Sequence, residues 1–377
     1  MSWGKNFFWD YNSVQKDWVF KLLESNPFFQ NEKKKKMQVI FKSIKYSKSF
    51  KRLIDTKKNN LILHSVFDHS FNFNCVSDGR GEEEMRSWLD PFYFKNLFNV
   101  NVKEGLSPNG VKIIKDSEKS FKELGLERGM TLFIIKNEKE IEKIENYKST
   151  NRRIFLKVNG GDEWDPVIRP IRFKNEFLME RISFLVKLSQ KIMEEKENYQ
   201  VGFSFLLNRI KFKENCFVVE IDKNEKVPLL CIPVLKFLES LERNNSIESC
   251  TKNIVGLGDG STPSGDDFIV GFFASLKKFN ISLIATNPNF EKELIKDIVL
   301  NDLTTHLSQS FYLSCTRGEY SEIVHILFDL LFKEMLFEEK DSISEEKLRW
   351  ILNFGASSGL DLFLGVLFGI NHCIKIK

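Results

Sequence analysis

The chain has 377 residues, 42% of them hydrophobic and 29% charged, with a formal net charge of +4. That length allows about two domains and a substantial buried core, and so small a charge does not point to a nucleic-acid partner. The longest apolar runs, near 268–276 and 362–370, are about half of the ~20 residues needed to span a membrane.

The charge is unevenly placed. Residues 1–60 carry 14 Lys and Arg against 5 Asp and Glu, a local +9 that leaves −5 on the remainder. The run Lys33-Lys34-Lys35-Lys36 reads as a solvated face or loop, because no aromatic interleaving of an RNA-binding type accompanies it. Cys75, Cys216, Cys231, Cys250, Cys315 and Cys373 form no CxxC pair and have no metal-ligand spacing. With no signal-peptide apolar core at the start, they read as reduced thiols of a cytoplasmic protein.

In chain order, residues 1–60 read as a basic helical extension. Val14, Trp18, Leu22 and Leu23 recur at helical spacing, as do Met37, Ile40, Phe41 and Ile44, with a turn at Asn26-Pro27. Residues 61–175 read as a β-rich or α+β domain. LILHSVFDHSFNFNCV predicts two strands about an Asp68-His69 turn, and Ser77-Asp78-Gly79 closes the unit. Val111 to Ile114 and Thr131 to Ile135 are further strands, with a short helix expected over Ser117 to Leu124. Residues 176–377 read as mainly helical. The first helix, over 176–196, is amphipathic through Phe177, Ile182, Leu185, Val186, Leu188 and Ile192. One strand is expected at Phe217 to Ile221, and helices with glycine turns follow from about 233. The fold class is α+β: an N-terminal α/β part with a small β-rich, barrel-like unit, then a mainly α-helical C-terminal domain.

The segment GLGDGSTPSGDDFIVG, from Gly256 to Gly271, concentrates the chemistry. Gly256, Gly258 and Gly260 let the main chain approach a ligand closely. Pro263 biases Thr262 toward extended backbone. Ser264 then stands as a helix N-cap, with Asp267 completing a capping-box pattern. A glycine-rich loop feeding a helix N-terminus offers N–H groups to an anion. Capping alone accounts for Ser264 and one aspartate, but not for Asp259, Asp266 and Asp267 together. Three carboxylates at an anion site call for a cation or an amide among them. Two readings stay open: Mg²⁺ held by Asp266 and Asp267 with phosphate bridging, or carboxylates accepting from a carbamoyl NH2. Neither a Walker A lysine nor a dinucleotide fingerprint is present.

An echo follows 94 positions later: Ser264-Gly265-x-Asp267-x-x-x-Gly271 recurs as Ser358-Gly359-x-Asp361-x-x-x-Gly365. Either the match of four positions is chance, or two related helices point their N-termini at one pocket. Between the copies, Thr305 and Ser308 are hydroxyl ligands or local helix caps. His306 is a candidate base by its ordinary pKa, although a lone histidine is more often structural. His64 and His69 read as structural.

The signature resembles GLGxGLTPSGDDFLxG of the bacterial AllH-type subunit family of oxamate carbamoyltransferase. Asp259 stands where that family often has proline, and Ser261 where it has leucine. LHSVFDHSFNF (63–73), TTHLSQSFYLSCTRGEYSE (304–322) and GASSGLDLFLGVLFG (355–369) are also similar to the family. The resemblance implies a complex with FdrA-type and AllG-type subunits that phosphorolyses oxalurate to oxamate and carbamoyl phosphate in anaerobic purine and allantoin breakdown. It implies phosphate or carbamoyl phosphate and a small carboxylate as ligands. With the loop reading, it marks Asp266 and Asp267 as catalytic. Gly256, Gly258, Asp259, Gly260, Thr262, Ser264, Gly265, Thr305, Ser308, Ser358, Gly359 and Asp361 are then the ligand-binding set. The competing readings are a stand-alone Mg-dependent hydrolase or phosphoryl-handling enzyme, and a non-catalytic scaffold that senses a small anion.

Overall fold

The computed structural model describes residues 37–55, 61–75, 97–103, 105–114, 117–137, 139–145, 152–158, 160–171, 175–195, 201–284, 287–332 and 340–376. The expected helix before residue 37, the lysine run and the Ser77-Asp78-Gly79 turn lie outside them.

The N-terminal unit is a ring of strands. These are β1 (Met37–Ser47), β2 (Leu61–Val66), β3 (Ser70–Cys75), β4 (Phe98–Asn101), β5 (Gly110–Ile114), β6 (Thr131–Ile135) and β7 (Arg152–Lys157). Their order is β5-β4-β3-β2-β6-β7-β1, and β1 pairs back onto β5, which closes the barrel. A short β8 (Asp162–Trp164) adds to the end of β1. Closure leaves the seven ring strands without free edges.

Alternation explains β2, β3 and β4. Leu61, Leu63, Phe71, Phe73, Phe98 and Val100 are buried in the barrel interior. Phe121 plugs it, with its ring edge-on to Phe41 at 5.3 Å and to Phe71 at 5.1 Å. The β2–β3 pair turns at Asp68-His69 as expected.

Two expectations fail here. Met37–Ser47 is a strand, and only α1 (Lys48–Asp55) is helical. Met37, Ile40, Phe41 and Ile44 fit a helical period, but the strand is paired on both sides, to β7 and β5. Phe41 and Ser43 turn inward and Ile40 is left 46% exposed. Residues 117–124 form turns with one helical bond, Leu124 N–H to Ser120 O at 3.0 Å, because Phe121 is drawn into the barrel and Gly125 (φ +75°) ends the turn. Within the barrel unit, α2 (Lys139–Glu145) lies between β6 and β7.

The helical part has its own core. It contains α3 (Asn175–Glu194), α4 (Ser204–Leu207), α5 (Ile232–Arg243), α6 (Ile247–Lys252), α7 (Ser264–Phe279), α8 (Phe290–Leu300), α9 (His306–Thr316), α10 (Glu322–Phe332), α11 (Lys340–Leu352) and α12 (Ser358–Lys375). A small hairpin, β9 (Ile210–Phe212) with β10 (Phe217–Val219), interrupts it. In α3 the stripe Ile182, Leu185, Val186 and Ile192 is buried, whereas Phe177 is 77% exposed. No helix among the described residues is long and apolar enough to cross a membrane. Cys216, Cys231, Cys250, Cys315 and Cys373 are free, and burial pushes the Cys231 and Cys315 thiols up to about 12, which keeps them unreactive near neutral pH.

α7 and α12 are buried almost all round and form the centre. Contacts advance together along them, from Ser264–Ser357 through Gly271–Leu362 to Ser275–Gly369, so the helices run in the same sense. Glycine makes this approach possible. A Cβ on Gly271 would sit 2.3 Å from Leu362 O, and one on Gly365 would sit 2.0 Å from Phe268 O. Leu362 follows Phe268 by the same 94 positions that separate Gly365 from Gly271. The contact is therefore reciprocal, as a local two-fold requires. The first glycines of the two copies behave alike too: Gly265 is pressed on Ile254 O and Gly359 on Ile351 O.

Candidate functional site

The two helix N-termini meet. Ser264 Oγ lies 3.1 Å from Ser357 Oγ, and Thr262 Oγ1 lies 3.1 Å from Ser358 Oγ. The preceding loop takes left-handed backbone at Gly256, Gly258 and Gly260, with φ of +73°, +107° and +100°.

The capping roles differ from expectation. Pro263 occupies the N-cap of α7, no side chain caps it, and Ser264 is the first helical residue. Ser357 holds that place in α12, also without a side-chain cap bond. Thr305 is a cap: it heads α9 and accepts from Ser308 N–H at 3.2 Å. Its hydroxyl also donates to Ser261 O at 2.6 Å, tying α9 to the loop. The first-turn N–H groups of α7 are largely occupied. Gly265 donates to Leu257 O, and Asp266 and Asp267 donate to Pro263 O. Little of an open backbone cradle remains for an anion.

The buried aspartates of the loop and its echo, Asp266, Asp267 and Asp361, separate by environment. Asp266 is 1% exposed and organises the loop: it accepts from Gly256 N–H at 3.0 Å, from Tyr312 Oη at 2.9 Å and from Thr304 Oγ1. Burial raises its pKa, and the Thr304 and Gly256 donors oppose the rise. Asp361 is fully buried; its Oδ1 accepts from Phe203 N–H at 2.8 Å, and Oδ2 makes no bond of ordinary geometry. Burial lifts it to about 6. Asp267 is 6% exposed, and its Oδ2 is buried with no partner. Burial, reinforced by the Asp361 and Asp266 charges against the nearby Ser358 and Thr262 hydroxyls, holds it well above the ordinary carboxylate range.

A cavity of about 670 Å³ opens between barrel and helices. Of the sequence-predicted residues, Asp259, Gly260, Thr262, Asp267 and Ser358 line it. Gly256, Gly258, Ser264, Gly265, Thr305, Ser308, Gly359, Asp361 and Asp266 stand behind the wall and shape the loop and the helix pair. Ser308 Oγ is buried without a partner. Among the described residues, no group of three or more His, Cys, Asp or Glu gathers as a metal site.

The barrel supplies the opposite wall. Asn72, Asn99, Asn101, Ser107, Lys103 and His69 line it, and none of them was singled out as a ligand-site residue from sequence. The strand SFNFNC turns Phe71 and Phe73 into the barrel and Asn72 outward, where the helices cover it to 1% exposure. Asn72 Nδ2 donates to Ser65 Oγ at 3.0 Å, and Asn72 Oδ1 accepts from Asn99 Nδ2 at 2.8 Å. A bulge in β2 between Leu63 and Ser65 carries His64, whose Nε2 is 3.2 Å from His306 Nδ1. His306 thus pairs across the two parts of the fold, beside the cavity-lining Leu307.

Asp361 provides a test of this electrostatic picture. Its carboxyl moves from an ordinary 3.8 to about 6 on folding. Between those values the folded chain holds the extra proton, so stability falls as pH rises through the window, by about 3 kcal/mol in all. Asp361→Asn keeps an acceptor for Phe203 N–H and removes the charge. Urea unfolding at pH 8 is expected to show it more stable than the native chain, with a shallower slope between pH 4 and 6. Asp266 and Asp267 shift in the same direction, so some slope stays. An unchanged slope would show that Asp361 is not its source.

No curated protein and no solved structure matches the chain. Residues 254–370, the helical segment that holds both the loop and its echo, match the family model described as oxamate carbamoyltransferase subunit AllH.

Proposed function

We propose that the chain works as a subunit of an oxamate carbamoyltransferase-type complex and that the cavity at the α7 and α12 N-termini receives the carbamoyl group. The observation that carries this reading is Asp267, a buried carboxyl in the cavity wall whose surroundings favour its neutral form. A neutral carboxyl presents one O–H donor and one carbonyl acceptor, the complement of a carbamoyl C=O and NH2.

In the phosphorolysis of oxalurate, a phosphate oxygen attacks the carbamoyl carbon. The bond from that carbon to the oxamate nitrogen breaks, and the nitrogen takes up a proton. Asp267 can give that proton and recover one from the phosphate, as a general acid and base. Asp266 holds the loop through Gly256, Thr304 and Tyr312 rather than facing the ligand. That use of Asp266 speaks against the Mg²⁺-hydrolase reading, which needs both aspartates at one ion.

FdrA-type and AllG-type subunits are the partners this reading requires, in the cytoplasm. Mixing the purified chain with them is expected to give phosphate-dependent release of oxamate and carbamoyl phosphate from oxalurate, with none from the chain alone. Full turnover by the partners without this chain would overturn the proposal.

A further inference from the structure

The cavity is larger than the ligands of that reaction. At roughly 30 Å³ per water-sized group, a ligand of about eight non-hydrogen atoms displaces on the order of 200 Å³. The cavity holds about 670 Å³, within the roughly 300–1,000 Å³ typical of sites for drug-sized ligands.

Its walls differ in charge. The helical side presents Asp259, Asp267 and Glu319, the last neutralised by Arg52 at 3.1 Å and Arg317 at 2.8 Å. The barrel side presents Lys103, the only Lys or Arg in the wall among the described residues. Ser107, also from the barrel part, is 8% exposed, and its hydroxyl is buried with no partner. The loop that carries Ser107 is pinned: Leu106 N–H donates to Glu322 at 3.0 Å, and Gly110 N–H to Ser107 O at 2.9 Å. Asn99 stands on the same wall, oriented by Asn72. The wall also holds the apolar side chains of Val270, Phe311, Phe354 and Leu362. Unpartnered polar atoms therefore belong to lining residues from both parts of the fold, Asp267 Oδ2 from the helices and Ser107 Oγ from the barrel. A buried hydroxyl left without a partner costs stability unless something completes it.

We infer that the barrel wall at Ser107 and Lys103 is a second polar subsite, which takes the carboxylate end of an ω-ureido acid whose apolar middle crosses the cavity. The assignment rests on the carbamoyl reading of Asp267 for the head of that ligand. The tail would be read by the barrel, which lies outside the segment that the family model matches.

Calorimetry on the full chain tests this with ureidoacetate, 3-ureidopropionate and 6-ureidohexanoate, and with hexylurea as the tail-less control. Affinity is expected to rise at least tenfold from ureidoacetate to 6-ureidohexanoate. Ser107→Ala and Lys103→Met should remove most of that rise while ureidoacetate binds as before. Thermal unfolding of ligand-free Ser107→Ala should match or exceed the native chain, because the substitution removes an unpartnered hydroxyl. Equal affinity along the series, a length gain that survives both substitutions, hexylurea binding as tightly as 6-ureidohexanoate, or no binding at all would overturn the subsite. The two readings fail separately. If Asp267→Asn weakens ureidoacetate while length has no effect, the subsite falls and the carbamoyl head stands. If Asp267→Asn changes nothing while Ser107→Ala and Lys103→Met abolish the length gain, the head assignment falls and the subsite stands.

Discussion

Gly365→Ala is expected to destabilise the helical part of this protein by at least about 3 kcal/mol, the upper end of the usual range for overpacking. The added Cβ would lie 2.0 Å from Phe268 O and 3.0 Å from Phe268 Cα. Both atoms are backbone within a buried helix, so no side chain can swing aside. The helices would have to separate, which loosens the reciprocal contact at Gly271 as well. Against a total stability of about 5–15 kcal/mol, that is a large share. Thermal unfolding should fall by roughly 6–12 °C for a domain of this size. Gly129→Ala is the control: its φ is +89° but nothing lies within 4 Å, so it carries only backbone strain of about 1 kcal/mol. Equal melting of the two variants would mean that α7 and α12 do not approach so closely.

The second large effect concerns activity. In the reconstituted complex, Asp267→Asn should lower carbamoyl transfer by about 10²–10⁴-fold, the usual worth of a positioned acid or base. Its stability should be equal or higher at pH 8, because burial penalises the charged carboxylate it removes. The native rate should fall as pH rises through the raised Asp267 pKa, since the acid form is then lost, and Asp267→Asn should lack that limb. Asp266→Asn should behave differently. An amide NH2 in place of Oδ2 would face the Thr304 hydroxyl that donates there, so activity and stability should fall together. Unimpaired transfer by Asp267→Asn would remove it from the mechanism.

The loop and the helix pair were legible because their signals are local. Glycines beside hydroxyls and aspartates mark a loop entering a helix, and the 94-residue spacing of the echo survives as the reciprocal contacts of Gly271 with Leu362 and of Gly365 with Phe268. The β2–β3 pair was legible because apolar residues alternate about a two-residue turn. β1 was not: Met37, Ile40, Phe41 and Ile44 satisfy a helical period as well as a strand, and only pairing with β5 and β7 decides between them.

The sequence by itself determined that one glycine-rich loop and its echo begin two apolar helices, because close approach and apolar burial are written in residue type. Only the tertiary structure decided that Asp266 serves the loop while its neighbour Asp267 lines the cavity, because consecutive helical positions point about 100° apart and their surroundings come from distant segments. The same holds for Asn72, Asn99 and Ser107. In sequence they are ordinary polar residues of strands and turns, and they become a cavity wall only when the barrel and the helices pack together.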